Sequence, residues 1–159
     1  MTGTTLLRSF MLGACLQLIG TLAWADWELD NTASAINFVT IKNDSVGEIN
    51  TIQSLEGSIS ASGAAQITLQ LASVETLIEI RNERIRSLLF ETVTFPVAQI
   101  EAQVDPALMA GANGGVVHQL DLPVSIALHG VQRDLTVSVS VLVDKDDDLL
   151  VFTTHPVLV

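Results

Sequence analysis

Hydrophobic and polar residues alternate at every second position through most of the chain. In residues 98–103, for example, Ala98, Ile100 and Ala102 alternate with glutamine and glutamate. This is the pattern of antiparallel strands that have one buried face and one face in water. We expect the following apolar members of these runs to point into the protein: Ile36, Phe38, Ile67, Leu69, Leu71, Ala98, Ile100, Ala102, Val124, Ile126, Leu128, Val137 and Val139.

Turn-forming residues separate the alternating runs. The turns are predicted at Ser62-Gly63, 111–115, His129-Gly130 and 144–148. Short connections between successive strands favour an up-and-down arrangement, and closing the sheet on itself leaves no long edge exposed. The pattern therefore predicts an all-β fold, an antiparallel up-and-down β-barrel.

One stretch, residues 82–91, has helical periodicity instead. Asn82 is the expected N-cap, and Ile85, Leu88 and Leu89 fall on one face. A proline disfavours helix at the residue before it, so the helix should end before Phe95-Pro96. We predict one short helix near residues 82–91, inserted between two strands and lying over the barrel.

The first 25 residues have the order of a secretory signal peptide. Arg8 precedes an uncharged apolar stretch at 10–22, which is short for a transmembrane helix, and Ala23-Trp24-Ala25 resembles a cleavage site. A second interpretation is a lipoprotein signal, in which Cys15 would carry a lipid anchor. The favoured prediction is a signal peptide at 1–25 followed by a single exported domain at 26–159.

The exported domain is strongly acidic. Loss of Arg8 with the signal peptide changes the net charge from −11 to −12. A surface of this charge repels nucleic acid and anionic membranes, so we expect no nucleic-acid partner and no stable membrane insertion. Cys15 is the only cysteine, so the exported domain can form no disulfide.

Sequence motifs for catalysis or for metal binding are not found. His118, His129 and His155 lack the spacing of a metal site, and we expect His129 to hold a structural position or one at the barrel mouth. The acidic run at 144–148 begins like a calcium loop, but Leu149 occupies the glycine position. We predict no metal, no cofactor and no enzymatic activity.

Several segments resemble the YceI-like proteins, a family of periplasmic polyisoprenoid-binding proteins with a lipocalin-like barrel. They are Trp27-Glu28-Leu29-Asp30, "SAINF" at 34–38, "LEGSI" at 55–59, Ser73-Val74-Glu75-Thr76, "RNERIRSLLF" at 81–90, Phe95-Pro96, and Ile126 with His129-Gly130-Val131. The resemblance covers residues 27 to about 142 and implies a lipocalin-like β-barrel in the periplasm. The family usually continues past the segment matching "TTHPVLV", so its C-terminal end is expected to be missing here, and an open edge would favour a homodimer.

An aliphatic barrel interior has two interpretations, because the same side chains make either a filled core or a cavity. The resemblance implies the cavity, and with it a carrier that holds an isoprenoid lipid, of quinone or prenyl phosphate type, against the predicted interior residues. The alternative is a filled barrel that acts as a stress-related accessory or protein-interaction scaffold. An enzyme acting on an isoprenoid is a third hypothesis, which would require an essential polar residue at the mouth.

The predicted helix gathers Arg81, Arg84 and Arg86, three of the seven basic residues. One explanation is pairing with nearby glutamates, which would stabilise the protein little. The other is that a guanidinium lies at the barrel mouth and receives a phosphate or pyrophosphate head group. For that role we expect Arg84 first, and then Arg81.

Overall fold

The computed structural model describes residues 25–42, 46–111, 115–146 and 148–158. Its strands are β1 (Ala25–Glu28), β2 (Ile36–Lys42), β3 (Val46–Ile52), β4 (Leu55–Ser60), β5 (Ala64–Gln70), β6 (Val74–Glu75), β7 (Val97–Gln103), β8 (His118–Leu128), β9 (Val131–Val143) and β10 (Leu149–Thr153). Its helices are α1 (Glu79–Arg84), which continues into a π-helical turn over Ile85–Leu89, and α2 (Pro106–Gly111); a 3₁₀ turn covers Leu71–Ser73.

The strands form a nearly closed antiparallel barrel, which confirms the predicted lipocalin-like fold. A large sheet has the order β1-β4-β5-β7-β8-β9-β10, and a small sheet has the order β2-β3-β6. The chain departs from a continuous meander twice. Strand β1 pairs with β4, although the β2–β3 hairpin separates them in the chain. Strand β6 lies between β5 and β7 in the chain but pairs with β3.

Side-chain alternation in the large sheet sorts apolar residues to its inner face. Ile67 on β5 pairs with Ile100 on β7, and Ile100 pairs with Ile126 on β8, so the three share that face. Two hydrophobic clusters form there. One gathers Ile52, Leu55, Leu69, Leu71, Val74, Ile85, Phe90 and Ala98, and the other gathers Val124, Val137 and Val139. Ile100 packs against both clusters and therefore joins them.

The β8–β9 hairpin turns at His129-Gly130, as predicted. Both residues have positive φ, 52° and 74°, which is the requirement of a tight type I′ turn. A Cβ on Gly130 would lie 3.1 Å from Cε1 of Phe95. Glycine is therefore suited to this position by its backbone and by the ring beside it.

The predicted start of the helix is wrong. Helix α1 begins at Glu79, and its N-cap, Ile78, makes no side-chain capping bond. Asn82 lies inside the helix and is buried. Its Oδ1 accepts hydrogen bonds from the backbone N–H of Thr76 at 2.8 Å and from the Thr76 hydroxyl at 2.7 Å. The asparagine side chain thus accepts hydrogen bonds from Thr76, the residue after strand β6, and does not cap the helix.

The predicted apolar face of the helix is also only partly right. Ile85 is buried, whereas Leu88 and Leu89 are 76% and 51% exposed. The N–H of Phe90 donates to the carbonyl of Ile85 at 2.9 Å, five residues back, so this turn is π-helical. A wider turn changes the angle between successive side chains, and it turns Phe90 inward in place of the leucines.

Helix α2 was not predicted from the sequence, and its last residue, Gly111, falls in the turn predicted at 111–115. Asp105 provides the signal that could have found it. The Asp105 carboxylate accepts from the N–H of Ala107 at 2.8 Å, and Pro106 takes the first helical position. Residues 112–114 lie outside the described part of the chain.

The predicted signal peptide and Cys15 lie outside the described residues, except for Ala25, which begins β1. Among the described residues, no helix has the length and hydropathy needed to cross a membrane.

Candidate functional site

The inner face of the large sheet carries a band of apolar residues that neither cluster covers completely. Ile67, Ile100 and Ile126 form one row across β5, β7 and β8, and all three are half-buried. Ala102 continues the band towards the second cluster. These side chains therefore keep some accessible surface, unlike the buried members of the two clusters.

The predicted interior residues all lie at these clusters. Leu69, Leu71, Ala98, Val124, Val137 and Val139 are buried. Ile36, Phe38, Ile67, Ile100, Ala102, Ile126 and Leu128 are half-buried and pack against one cluster or both. Sequence reasoning missed Ile52, Leu55, Val74 and Phe90. Leu55 has a usable signal, since it shares one phase of the β4 run with Gly57 and Ile59 and alternates with Glu56 and Ser58.

The small sheet places polar groups on its inner face, towards the β2–β3 connection. Phe38 pairs with Asn50, and Thr40 pairs with Glu48, so these four side chains share the face that packs on the first cluster. Asn50 has 0% exposure. Its Nδ2 donates to Thr40 Oγ1 at 3.2 Å and to the Glu48 carbonyl at 3.3 Å, while its Oδ1 has no hydrogen-bond partner.

Arg81 connects this polar end to helix α1. Its Nη2 lies 2.9 Å from Oε1 of Glu48, and the two side chains are 29% and 25% exposed. The pair joins the helix to the small sheet. It also neutralises the guanidinium, so Arg81 presents no net charge to the interior.

The other two helix arginines differ from Arg81 in their partners. Arg86 donates from Nε to the carbonyl of Ala72 at 3.0 Å and from Nη1 to Glu79 at 3.2 Å. Arg84 is exposed and makes no hydrogen bond or ion pair within the described residues. Pairing with glutamate therefore accounts for Arg81 and Arg86, while Arg84 keeps an uncompensated charge.

A polar network fixes the junction between β6 and α1. Asn82 Nδ2 donates to Glu75 Oε1 at 3.2 Å, and the N–H of Leu77 donates to the same oxygen. These bonds, the one from Asn82 first, favour the ionised carboxylate and hold the pKa of Glu75 below its ordinary value. The network therefore stabilises the start of the helix that carries the arginines.

His129 lies in a contact between the β8–β9 turn and the segment after the helix. Its ring centroid is 4.3 Å from that of Phe95, and its Nε2 is 3.6 Å from Oε1 of Glu91. The position suits a structural role. In the described residues, no three histidine, cysteine or acidic side chains come together as a metal site would require.

A depression of about 670 Å³ lies on the polar side of the large sheet. Its lining includes Gln66, Glu101, Gln103, Ser125 and Asp134, which alternate with the inward-facing residues. Its lining also includes Ala102 and Val124 of the inward-facing set, so the depression adjoins the apolar band. A smaller depression of about 360 Å³ lies beside the helix, at residues that include Glu83, Arg86 and Glu91.

A model of the YceI-like domain matches residues 27–155. The chain belongs to the YceI-like family. A polyisoprenoid binding domain from Saccharophagus degradans, described as implicated in plant cell wall breakdown, is 36% identical with a TM-score of 0.82; the match covers 86% of this chain and 78% of that one. BcnA of Burkholderia cenocepacia is 22% identical with a TM-score of 0.53, over 70% of each chain, and shows the shared fold alone. No curated protein matches the sequence significantly.

Proposed function

We propose that this YceI-like protein binds and carries a polyisoprenoid lipid in its barrel and that it has no enzymatic activity. The family and the 36% identical polyisoprenoid binding domain of Saccharophagus degradans support the ligand class. The observation that carries the proposal for this chain is the half-buried row of Ile67, Ile100 and Ile126 between two buried clusters.

An isoprenoid chain suits this band because the band is apolar and offers almost no directional contacts. Burial of apolar surface contributes about 0.8 kcal/mol per CH₂ group. A tail of about 15–20 carbons would therefore offset an association cost of roughly 4–15 kcal/mol. Ala98 and Ala102, both small, lie on the same strand and the same face as Ile100.

The head group is proposed to lie near α1, where Arg84 and Arg81 were predicted to act. The two arginines suit different head groups. Arg84 is exposed and unpaired within the described residues, so it suits a prenyl phosphate. Arg81 is already paired with Glu48 and suits a neutral head such as that of a quinone-type lipid.

The periplasm is the proposed location, after export by the predicted signal peptide. An acidic protein without disulfides, carrying a net charge of −12 after cleavage, would stay dissolved there and would avoid anionic membrane surfaces. The carrier would shield a tail that is insoluble in that compartment. Strand β10 ends the large sheet within the described residues, so pairing of two copies along this edge is the proposed route to a homodimer.

A protein-interaction scaffold is the second candidate function, and a specific surface favours it. On the outer face of the β2–β3 hairpin, Val39 is 57% exposed and Ile41 and Ile49 are each 72% exposed. Adjoining apolar residues that remain in water can mark an interaction site. If this outer face is the functional surface, the interior should not bind a prenyl chain, or such binding should not affect the function of the protein.

Matched tryptophan variants on one strand separate the two functions. Ile100→Trp fills the inner band, whereas Gln99→Trp adds the same ring to the polar face next to it. We expect native mass spectrometry with geranylgeraniol to show binding to the wild type and to Gln99→Trp, and at least tenfold weaker binding to Ile100→Trp. Thermal unfolding checks that both variants fold, since a larger side chain in a packed region costs about 1–3 kcal/mol.

If the two folded variants bind geranylgeraniol equally, the inner band is not the binding site. If Ile100→Trp fails to fold, Ala102→Leu provides a smaller obstruction in the same band and keeps the test decisive.

A further inference from the structure

The buried carbonyl oxygen of the Asn50 side chain has no function in the fold. Asn50 has 0% exposure, and its Oδ1 is without a hydrogen-bond partner. The large majority of buried side-chain polar atoms in native proteins have a hydrogen-bond partner, so an isolated acceptor calls for a specific explanation.

The orientation of the amide group follows from its neighbours. Nδ2 lies 3.3 Å from the backbone carbonyl of Glu48, which can only accept a hydrogen bond. Exchanging the amide nitrogen and oxygen would place two acceptors against each other at that distance. The Thr40 hydroxyl, 3.2 Å from Nδ2, accepts in this arrangement. The orphan atom is therefore the oxygen, and its missing partner must be a donor.

The surroundings of this oxygen combine polar and apolar surface. Phe38 lies opposite Asn50 on β2 and packs edge-on against Phe90, with ring centroids 5.6 Å apart. On the other side, the ion pair of Arg81 with Glu48 balances its own charge. A ligand that ends here would have its hydrocarbon part against the first cluster and a small neutral group at the asparagine.

We propose that Asn50 selects isoprenoids with a hydroxyl head group, such as a prenyl alcohol, a prenylated phenol or a reduced quinone. This inference deepens the proposed carrier function and depends on it. A hydroxyl donates to Oδ1, whereas the carbonyls of an oxidised quinone can only accept. A phosphate would bring negative charge towards Glu48 at a point where Arg81 is already neutralised. Because Asn50 has no exposed surface, the incoming head group must displace the side chains that cover it.

A pair of ligands that differ in one donor tests this inference. Geranylgeraniol and its methyl ether have the same chain, but only the alcohol can donate. We expect the wild type to bind the alcohol about tenfold more tightly than the ether, because the ether leaves the buried acceptor unpaired. Asn50→Leu, which has a similar shape and no acceptor, should bind both ligands equally. Asn37→Leu, on the outer face of the same hairpin, should keep the preference.

The outcomes distinguish this inference from the proposed function. Equal affinity of the wild type for both ligands overturns the role of Asn50 and leaves the carrier function intact; a trapped water on Oδ1 would give this result. A preference that persists in Asn50→Leu would be steric, and it would also overturn the inference. Failure of the wild type to bind either ligand overturns the carrier function itself. If Asn50→Leu does not fold, the binding of a prenylated hydroquinone and of its oxidised quinone to the wild type provides the test. Tighter binding of the hydroquinone would support the inference, and equal binding would overturn it.

Discussion

The large and the small sheet both alternate, but near the β2–β3 connection the small sheet directs polar side chains inward, where the large sheet directs apolar ones. In the large sheet, the inner face carries Ile67 and Ile100, while Gln66 and Gln99 face water. In the small sheet, near the β2–β3 connection, the inner face carries Thr40, Glu48 and Asn50. The apolar Val39, Ile41 and Ile49 of the same hairpin are exposed.

This difference assigns different tasks to the two sheets. The large sheet provides apolar area without directional groups, which suits a chain of repeated isoprene units. The small sheet, together with α1, provides the few polar atoms that can fix the end of such a chain. Ligand sites commonly combine a mostly apolar lining with a small number of placed polar groups.

The largest expected effect comes from the polar groups behind the small sheet. Asn82→Ala should destabilise the protein by about 3 kcal/mol, because it leaves the buried N–H of Thr76 without its acceptor, leaves the Thr76 hydroxyl only the Ile78 carbonyl at 3.2 Å, and opens a cavity. Urea unfolding measures this. The matched control is Asn37→Ala, which removes an exposed bond to Thr51 and should cost less than about 0.5 kcal/mol. Similar losses for the two variants would mean that the buried network does not hold the helix junction.

The same substitution in both sheets tests the assignment of their faces. Val139→Thr, on the inner face of the large sheet, buries a hydroxyl and should cost about 1–2 kcal/mol. Val39→Thr lies on the exposed face of the small sheet and should change stability by less than about 0.5 kcal/mol. Thermal unfolding of the two variants side by side gives the answer, and a reversed order would contradict the inverted arrangement.

The Arg81–Glu48 pair should couple the helix to the small sheet only modestly. A double-mutant cycle with Arg81→Met and Glu48→Gln should give about 0.5–1 kcal/mol, because both side chains keep partial contact with water. The Arg86–Glu79 pair is the control, and its coupling should be smaller since Glu79 is 77% exposed. A larger coupling for the control pair would show that the Arg81–Glu48 pair is not the main ion pair that holds helix α1 in place.

The smallest expected effect is a pH dependence at Glu75. Hydrogen bonds, first from Asn82, hold its pKa below the ordinary value of a glutamate. Its contribution to stability is therefore complete above the unfolded pKa of about 4.3 and is lost as the pH falls through the folded pKa. Glu75→Gln should flatten the loss of stability over this acidic range, and an NMR titration of the wild type should give a lowered pKa. A pKa at or above 4.3 would contradict the network as described.

The inner face of the large sheet could be predicted from the sequence because one phase of alternation persists along each strand. Ile67 and Leu69 on β5, and Val137 and Val139 on β9, show it clearly. On strand β2 the predicted inward positions Ile36 and Phe38 are right, but Phe38 and Val39 are adjacent apolar residues, and hydropathy alone does not say which of the two faces inward. Pairing with β3 decides it, and that is a long-range property.

The helix shows a second limit of the sequence. Asn82 is a favourable N-cap residue by composition, but a buried tertiary hydrogen bond to Thr76 takes its side chain instead. The exposed positions of Leu88 and Leu89 follow from a π-helical turn, which helical periodicity of 3.6 residues does not anticipate. Asn50 was not singled out at all, because its importance comes from burial without a partner.

The most direct test compares the methyl groups of the two sheets in the presence of ligand. In methyl-labelled protein saturated with geranylgeraniol, we expect intermolecular NMR cross-peaks from the isoprenoid methyls to Ile67, Ile100 and Ile126. We expect none to Ile41 and Ile49, although these two are the more exposed. Cross-peaks confined to Ile41 and Ile49 would place the ligand on the outer face of the hairpin and would contradict binding inside the barrel.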